Sequence, residues 1–318
     1  MLASDGADVP PSAVAPPSAA APQPAVELRD TDRLEDCYRV CREIVRVHSK
    51  TFYLSSLFLE PLKRRAVWAV YAFCRTADDI VDRDSPAPDK LAAIDAWESQ
   101  LVAAYEGRTG DPIFVAFADA AQRFGIPVEP GLDLLRGARM DVTVRRYETY
   151  EDLSEYCYLV ASTVGLLVMP ILGTLSPDAV RYGVALGRAM QMTNILRDVG
   201  EDARMDRIYL PVEDLRRFGC SAENVLAGTI DERFVELMRF QIARVRAMYA
   251  EAEPGIGLLA SESRFTVRLA LSLYRRILER IEANDFDVFT QRAYVPFRTK
   301  LLMALGTWLG FSRGDSPL

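Results

Sequence analysis

Histidine is nearly absent: the 318-residue chain has one, His48. That single residue removes a Ser-His-Asp triad with a supporting histidine, a two-His zinc site and a facial triad from consideration. Cysteine is also scarce, with Cys37, Cys41, Cys74, Cys157 and Cys220 forming no CxxC pair. Cys37 and Cys41 stand one helical turn apart, which suits two buried small residues better than a disulfide. Reduced structural thiols and a cytoplasmic location are therefore expected. No basic surplus exists either. A formal charge of −7 and a pI near 5.1 argue against nucleic acid as a partner, because polyphosphate binding needs a basic face. Neither GxxxxGK[ST] nor GxGxxG occurs, so nucleotide-binding folds have no support.

Targeting signals are weak. The first 26 or so residues are rich in Ala, Pro and Ser and carry no basic residue before Arg29. They lack the charged start and apolar stretch of a secretory signal, and the arginines of a transit peptide. Residues 1–30 read as a disordered tail and 313–318 as a short C-terminal one. The apolar segment "LLMALGTWLGF" (301–311) is too short to cross a bilayer, which takes about 20 residues.

What is present between 31 and 312 is helical periodicity. "LEDCYRVCREIVRVHSK" repeats apolar residues at three and four, and "PLKRRAVWAVYAFCRTADDIVD" opens with Pro61 in a first-turn position. Further helices are predicted at 88–106, 111–124, 129–142, 150–173, 176–202, 230–252, 257–284 and 294–310. The breaks between them are loaded with Gly, Pro, Ser or Asp. Strand-like alternation is nowhere sustained. The expectation is an all-α, single-domain helical bundle. "YCYLVASTVGLLVMPILGTL" (156–175) and "AVRYGVALGRAMQMTNIL" (179–196) are apolar nearly all round, so they belong at the centre of a bundle or against an apolar cavity. Both contain glycines, and Gly inside a helix costs about 1 kcal/mol relative to Ala. Tight helix packing or room for a long apolar ligand would each account for them.

Two acidic segments interrupt this pattern: "RTADDIVDRD" (75–84) and "NILRDVGEDARMDRIYLP" (194–211). On a helix, Tyr71, Arg75, Asp78 and Asp82 fall on one stripe, and Gln191, Asn194, Asp198 and Asp202 on another. Each stripe carries two aspartates one turn apart, at the end of an apolar run, and so points into the bundle. Turned inward, carboxylates repel by roughly 4 kcal/mol per close pair at an effective dielectric near 20. Protonation or cations must relieve that. Oxygen donors with an amide among them suit Mg²⁺, which prefers to share itself with substrate phosphates. Arg75 and Arg197 would add permanent positive charge for the same phosphates. A single acidic helix end is usually a solvated face; two matching pairs, each with an arginine, make that reading weaker. An EF-hand is excluded, since "DDIVDRDSPAPD" lacks the turn glycine and the twelfth-position glutamate.

"HSKTFYLSS", "AVWAVYAFCRTADDIVD", "YCYLVASTVG" and "QMTNILRDVGEDARMDRIYLP" resemble the squalene/phytoene synthase family of head-to-head prenyl synthases, with the likeness running from about residue 36 to 300. The resemblance implies an all-α bundle around a central apolar cavity. It implies that Asp78, Asp82, Asn194, Asp198 and Asp202 hold Mg²⁺, with Mn²⁺ as a substitute. His48, Ser49, Lys50 and Thr51 would form a flap over diphosphate, and Tyr71, Arg75, Gln191, Arg197 and Tyr274 would contact the substrates, with Asp79 pointing aside.

The implied reaction joins two geranylgeranyl diphosphates through a cyclopropyl diphosphate to a forty-carbon hydrocarbon, with Tyr71 and Tyr156 offering ring faces to passing cations. No NADPH is expected, since no reductant-binding signature is seen. The alternatives are dehydrosqualene, squalene or presqualene diphosphate synthesis from farnesyl diphosphate, and a non-catalytic assembly relative. Greasy substrate and product suggest peripheral membrane contact and handover to a downstream desaturase.

Overall fold

Proline and small polar residues set most helix starts in this computed structural model, which describes residues 30–296 with Thr299, Leu302 and Met303. In chain order the helices are α1 (Asp30–His48), α2 (Lys50–Ser56), α3 (Pro61–Asp82), α4 (Ala87–Tyr105), α5 (Pro112–Phe124), α6 (Glu129–Thr143), α7 (Tyr150–Cys157), α8 (Thr163–Leu172), α9 (Ala179–Arg204), α10 (Val212–Arg217), α11 (Ala222–Leu226), α12 (Glu232–Ala252) and α13 (Ser261–Ala283). Pro61, Pro112 and Pro130 sit in first turns, where a missing N–H costs nothing. Asp111 and Asp231 accept backbone N–H bonds as N-caps, and Thr149 and Asp152 form a capping box ahead of α7. Gly125 ends α5 at φ 65°, a left-handed conformation suited to glycine. No named strand occurs among the described residues; Arg146 with Ile208 and Thr174 with Leu259 form isolated bridges.

The buried apolar residues fall into two clusters. One gathers α1, α3, α4, α5, α6 and α8 around Phe73, Phe114 and Phe117; the other gathers α7 and α9 to α13 around Phe234 and Tyr249. Helix α8 packs against α3 and α6 on one side and α9 on the other, while α12 and α13 cover the far side of α9. The seam between the clusters is where space remains.

Two departures from the predicted elements matter. The segment read as one helix over 150–173 is interrupted by a π-helical turn at Tyr158–Ser162, where the Ser162 hydroxyl donates to the Val184 carbonyl at 2.7 Å. Tyr150–Leu172 is, by length and composition, apolar enough to cross a membrane, but half of it is buried inside this bundle. The helix predicted over 294–310 does not start at Tyr294: Tyr294–Pro296 are not helical, as expected for residues approaching Pro296. Most of the remainder lies outside the described residues.

Candidate active site

Along α3 a single stripe changes character from apolar to charged. Val67 faces the interior cavity, and Tyr71 follows one turn later with its ring stacked on Phe52 of α2, centroids 4.9 Å apart. Arg75, Asp78 and Asp82 continue the stripe. Arg75 is ion-paired to Asp79, so Asp79 turns towards the arginine. The row was expected to be buried; instead Asp78 and Asp82 are water-accessible. Asp78 is nevertheless crowded by protein. Desolvation, followed by the charges of Asp141 and Asp82, pushes its carboxyl up to about 7 despite the opposing Arg75. It therefore stands in a wet recess and not on an open surface.

Helix α9 repeats the logic in the same order, apolar first and charged towards its C-terminal end. Ala179, Tyr182, Gly183, Leu186, Gly187 and Met190 line the cavity; Arg197 continues that face, and Gln191, Asn194, Asp198 and Asp202 form the row beside it. The Asn194 amide nitrogen donates to the Gln191 side-chain oxygen at 3.3 Å, which leaves Asn194 Oδ1 buried and without a partner. Burial and then repulsion from Asp198 lift Asp202 to about 7. Asp198 is held by two arginines, Arg197 Nε at 2.8 Å and Arg292 Nε at 3.0 Å.

Two features of the site carried no readable signal in the sequence. Asp141, on α6, stands between the two rows: its charge raises both Asp78 and Asp202, and that of Asp82 raises it in turn. Asp141 Oδ1 accepts hydrogen bonds from the Tyr156 hydroxyl at 2.7 Å and the Tyr209 hydroxyl at 2.9 Å. Tyr147, Tyr156 and Tyr209 pack together with centroids 5.3 to 5.8 Å apart. The other feature is Arg292. A side chain on Gly200 would meet the Val288 carbonyl at 2.5 Å and Phe289 Cα at 2.6 Å. This glycine, inside the second aspartate motif, thus lets the segment after α13 lie against α9 and deliver Arg292 to Asp198. A basic residue in a non-helical stretch 94 positions from its partner has no spacing rule by which to find it.

The flap residues come to the same place. A recess of about 510 Å³ is lined by His48, Ser49, Lys50, Arg197, Tyr274 and Arg292, among others. His48 is exposed at the end of α1, and Ser49 caps α2 by accepting the Phe52 N–H at 3.3 Å. Thr51 belongs to α2; its side chain is outside the described residues. Tyr274 of α13 and Tyr71 of α3 are close enough to influence each other electrostatically, and burial raises the Tyr71 hydroxyl above its ordinary range. The recess thus carries three permanent or near-permanent cations, Lys50, Arg197 and Arg292, beside the carboxylate rows: a setting for a polyanion.

Below lies an apolar cavity of about 220 Å³, bounded by α2, α3, the π turn, α8, α9, α13 and the 3₁₀ turn Glu253–Leu258. Its walls are almost wholly hydrocarbon. Gly187 makes one wall possible: a side chain there would strike Ser162 Cα at 2.6 Å, so α9 and the π turn touch backbone to backbone.

The donors suit a divalent metal shared with a ligand. Asn194 Oδ1 is an orphaned buried acceptor, and the crowded carboxyls of Asp78 and Asp202 would be relieved by a cation. Among the described residues no three His, Cys, Asp or Glu converge to hold a metal by themselves.

The chain is similar to known proteins of one family. A family profile described as squalene/phytoene synthase matches residues 45–299. A phytoene synthase from Arthrospira platensis is 45% identical over 280 residues, spanning 84% of this chain and 91% of the relative. A 15-cis-phytoene synthase from Synechococcus elongatus is 44% identical with the same two shares. Among solved structures, a dehydrosqualene synthase in complex with a ligand superposes with a TM-score of 0.82 at 34% identity, covering 88% of this chain and 98% of that one. A squalene synthase from Alicyclobacillus acidocaldarius gives 0.75 at 31%, covering 80% and 96%.

Proposed function

The chain belongs to the squalene/phytoene synthase family, and from that premise we propose that it is a prenyltransferase joining two geranylgeranyl diphosphates head to head to give phytoene in carotenoid biosynthesis. The observation that carries the reading is the passage along α9 from a hydrocarbon-lined cavity to a cationic recess that Arg197 lines, beside the carboxylate row. A molecule with a long apolar tail and a diphosphate head fits both halves at once.

In the first half-reaction the C1–O bond of one substrate breaks and diphosphate leaves with the electron pair. The double bond of the second substrate attacks the allylic cation, and loss of a proton closes a cyclopropane that still bears diphosphate. That group then leaves in turn, the cation rearranges, and a second proton is lost to form the central double bond. Lys50, Arg197 and Arg292 stand where the departing negative charge would gather, and Arg75 joins them on exchanging Asp79 for phosphate. Asp78, Asp82, Asn194, Asp198 and Asp202 would hold Mg²⁺, which when bound supplies Lewis-acid stabilisation of the leaving group. The apolar walls keep water from the cations. Tyr71, one face of which is stacked on the cavity-lining Phe52, would offer its other face to the allylic cation. Because the sequence ends in proton loss, no hydride donor enters it.

Mass spectrometry of products from twenty- and fifteen-carbon diphosphates, supplied in competition without NADPH, tests the assignment. A forty-carbon hydrocarbon from the twenty-carbon substrate is expected; a thirty-carbon product in preference would move the chain to the dehydrosqualene branch of the family. The apolar substrate and product also favour peripheral contact with a cytoplasmic membrane face and handover to a desaturase. Flotation with anionic vesicles should carry part of the protein upward, and complete absence from the lipid layer would remove this element.

A further inference from the structure

Among the glycines that border the apolar cavity, one faces the end of a flexible side chain. Four glycines border the cavity: Gly165, Gly183, Gly187 and Gly255. At Gly187 an added Cβ would collide with backbone atoms of Ser162, and at Gly255 with Tyr182 Cβ at 2.2 Å, so both are locked by packing. Gly165 faces only the Gly183 carbonyl, at 3.5 Å. Gly183 differs. Its added Cβ would meet Met169 Cε at 2.3 Å, the far end of a flexible side chain that also lines the cavity. Met169 on α8 thus lies folded into the notch that Gly183 leaves on α9.

The position along α9 gives this contact a meaning. At a rise of about 1.5 Å per residue, the helix from Asn194, at the head-group end, down to Gly183 is about 16 Å long. A prenyl tail is anchored at its diphosphate end, so the units that come to this depth are its last ones, and the cavity continues past the notch to Tyr182 and Ala179. A twenty-carbon tail, one unit longer than a fifteen-carbon tail, has the greater need to pass Met169.

We propose that Met169, seated against Gly183, is the length-determining contact for the prenyl tail, admitting the fourth isoprene unit because its methyl group is folded into the glycine notch. The proposal rests on the prenyl-diphosphate reading above and deepens it. Thioether side chains suit such a post, being unbranched and able to change shape with little strain. A methyl group at position 183 would evict Met169 Cε into the cavity and shorten it, while Ala, a better helix former than Gly, would not weaken α9 itself.

Steady-state competition between farnesyl and geranylgeranyl diphosphates, read as the ratio of the two kcat/KM values relative to the parent, tests the proposal. Gly183→Ala should lower the twenty- to fifteen-carbon ratio at least tenfold. The double variant Gly183→Ala/Met169→Ala, with the evicted side chain removed, should return it towards the parent value. Met169→Ala alone should newly accept a twenty-five-carbon diphosphate. A folded Gly183→Ala variant, shown by unchanged circular dichroism and melting, whose ratio stays within twofold of the parent would overturn it. Should Gly183→Ala not fold, failure of Met169→Ala to gain the twenty-five-carbon substrate would do the same. Failure of the parent to condense any prenyl diphosphate would instead count against the functional reading, a separate outcome.

Discussion

Asp141 Oδ1 accepts from the Tyr156 hydroxyl at 2.7 Å, at a point from which its charge reaches both Asp78 and Asp202. The Tyr209 hydroxyl adds a second bond to the same oxygen. Two phenols on one oxygen favour the ionised carboxylate, against the burial that raises it. Removing the charge from the centre of the cleft should therefore disturb the reaction more than the fold. Asp141→Ala is expected to lower turnover about a hundredfold, near 3 kcal/mol of barrier, with far-ultraviolet circular dichroism unchanged. Tyr209→Phe, which keeps the ring stack and removes one donor, should have a smaller effect. Equal turnover in Asp141→Ala and parent would remove Asp141 from the site.

The metal-type carboxylates make a sharper test. Asp82 is water-accessible and Asp198 is satisfied by arginines at the edge of the recess, so neither supports the core. Asp82→Ala or Asp198→Ala should cost at least about a hundredfold in turnover, because each removes a donor for the ion that meets the leaving group, while melting changes little. Full activity in either variant would contradict the assignment.

Acidity offers an independent handle. In the metal-free protein Asp78 and Asp202 both titrate near 7, raised mainly by desolvation and then by neighbouring carboxylates. A carboxyl raised on folding contributes stability that is whole below its unfolded value of about 4 and is lost as pH climbs through about 7. Mg²⁺ competes with protons for these oxygens. Its addition should thus raise the melting temperature clearly near pH 8 and hardly at all near pH 5, by differential scanning fluorimetry. An Mg²⁺ shift of the same size at both pH values would mean that these two residues are not its ligands.

Arg292 reaches Asp198 from a segment outside the helices and is paired with that carboxylate. On substrate binding it is placed to exchange this partner for phosphate. Arg292→Gln should raise KM for the prenyl diphosphate about tenfold, the worth of one charge-assisted hydrogen bond of about 1.5 kcal/mol, with a lesser effect on kcat. An unchanged KM would leave Arg292 as a structural partner of Asp198.

The fold class was legible in the sequence because 3.6-residue periodicity survives in nearly every long helix, and because proline and aspartate mark their starts. The two stripes were legible for the same reason: fixed spacing on a helix places Asp78 with Asp82, and Asp198 with Asp202, without knowledge of anything else. Short α2 was not, since seven residues hold too few turns to show a period. Asp141 was hidden because it is a lone acid among ordinary helix residues, and its role comes from two tyrosines, Tyr156 on α7 and Tyr209 beside the bridge at Ile208. The accessibility of Asp78 and Asp82 was also misjudged: an apolar run followed by acids reads the same whether the acids enter a dry core or a wet cleft.

The central claim is that the carboxylate rows act through a divalent ion on a departing diphosphate, and the most direct measurement is hydrocarbon formation from geranylgeranyl diphosphate with Mg²⁺, with EDTA, and with Mg²⁺ restored in excess. A forty-carbon product that forms, disappears on chelation and returns on repletion is predicted. Undiminished product in EDTA would contradict the account.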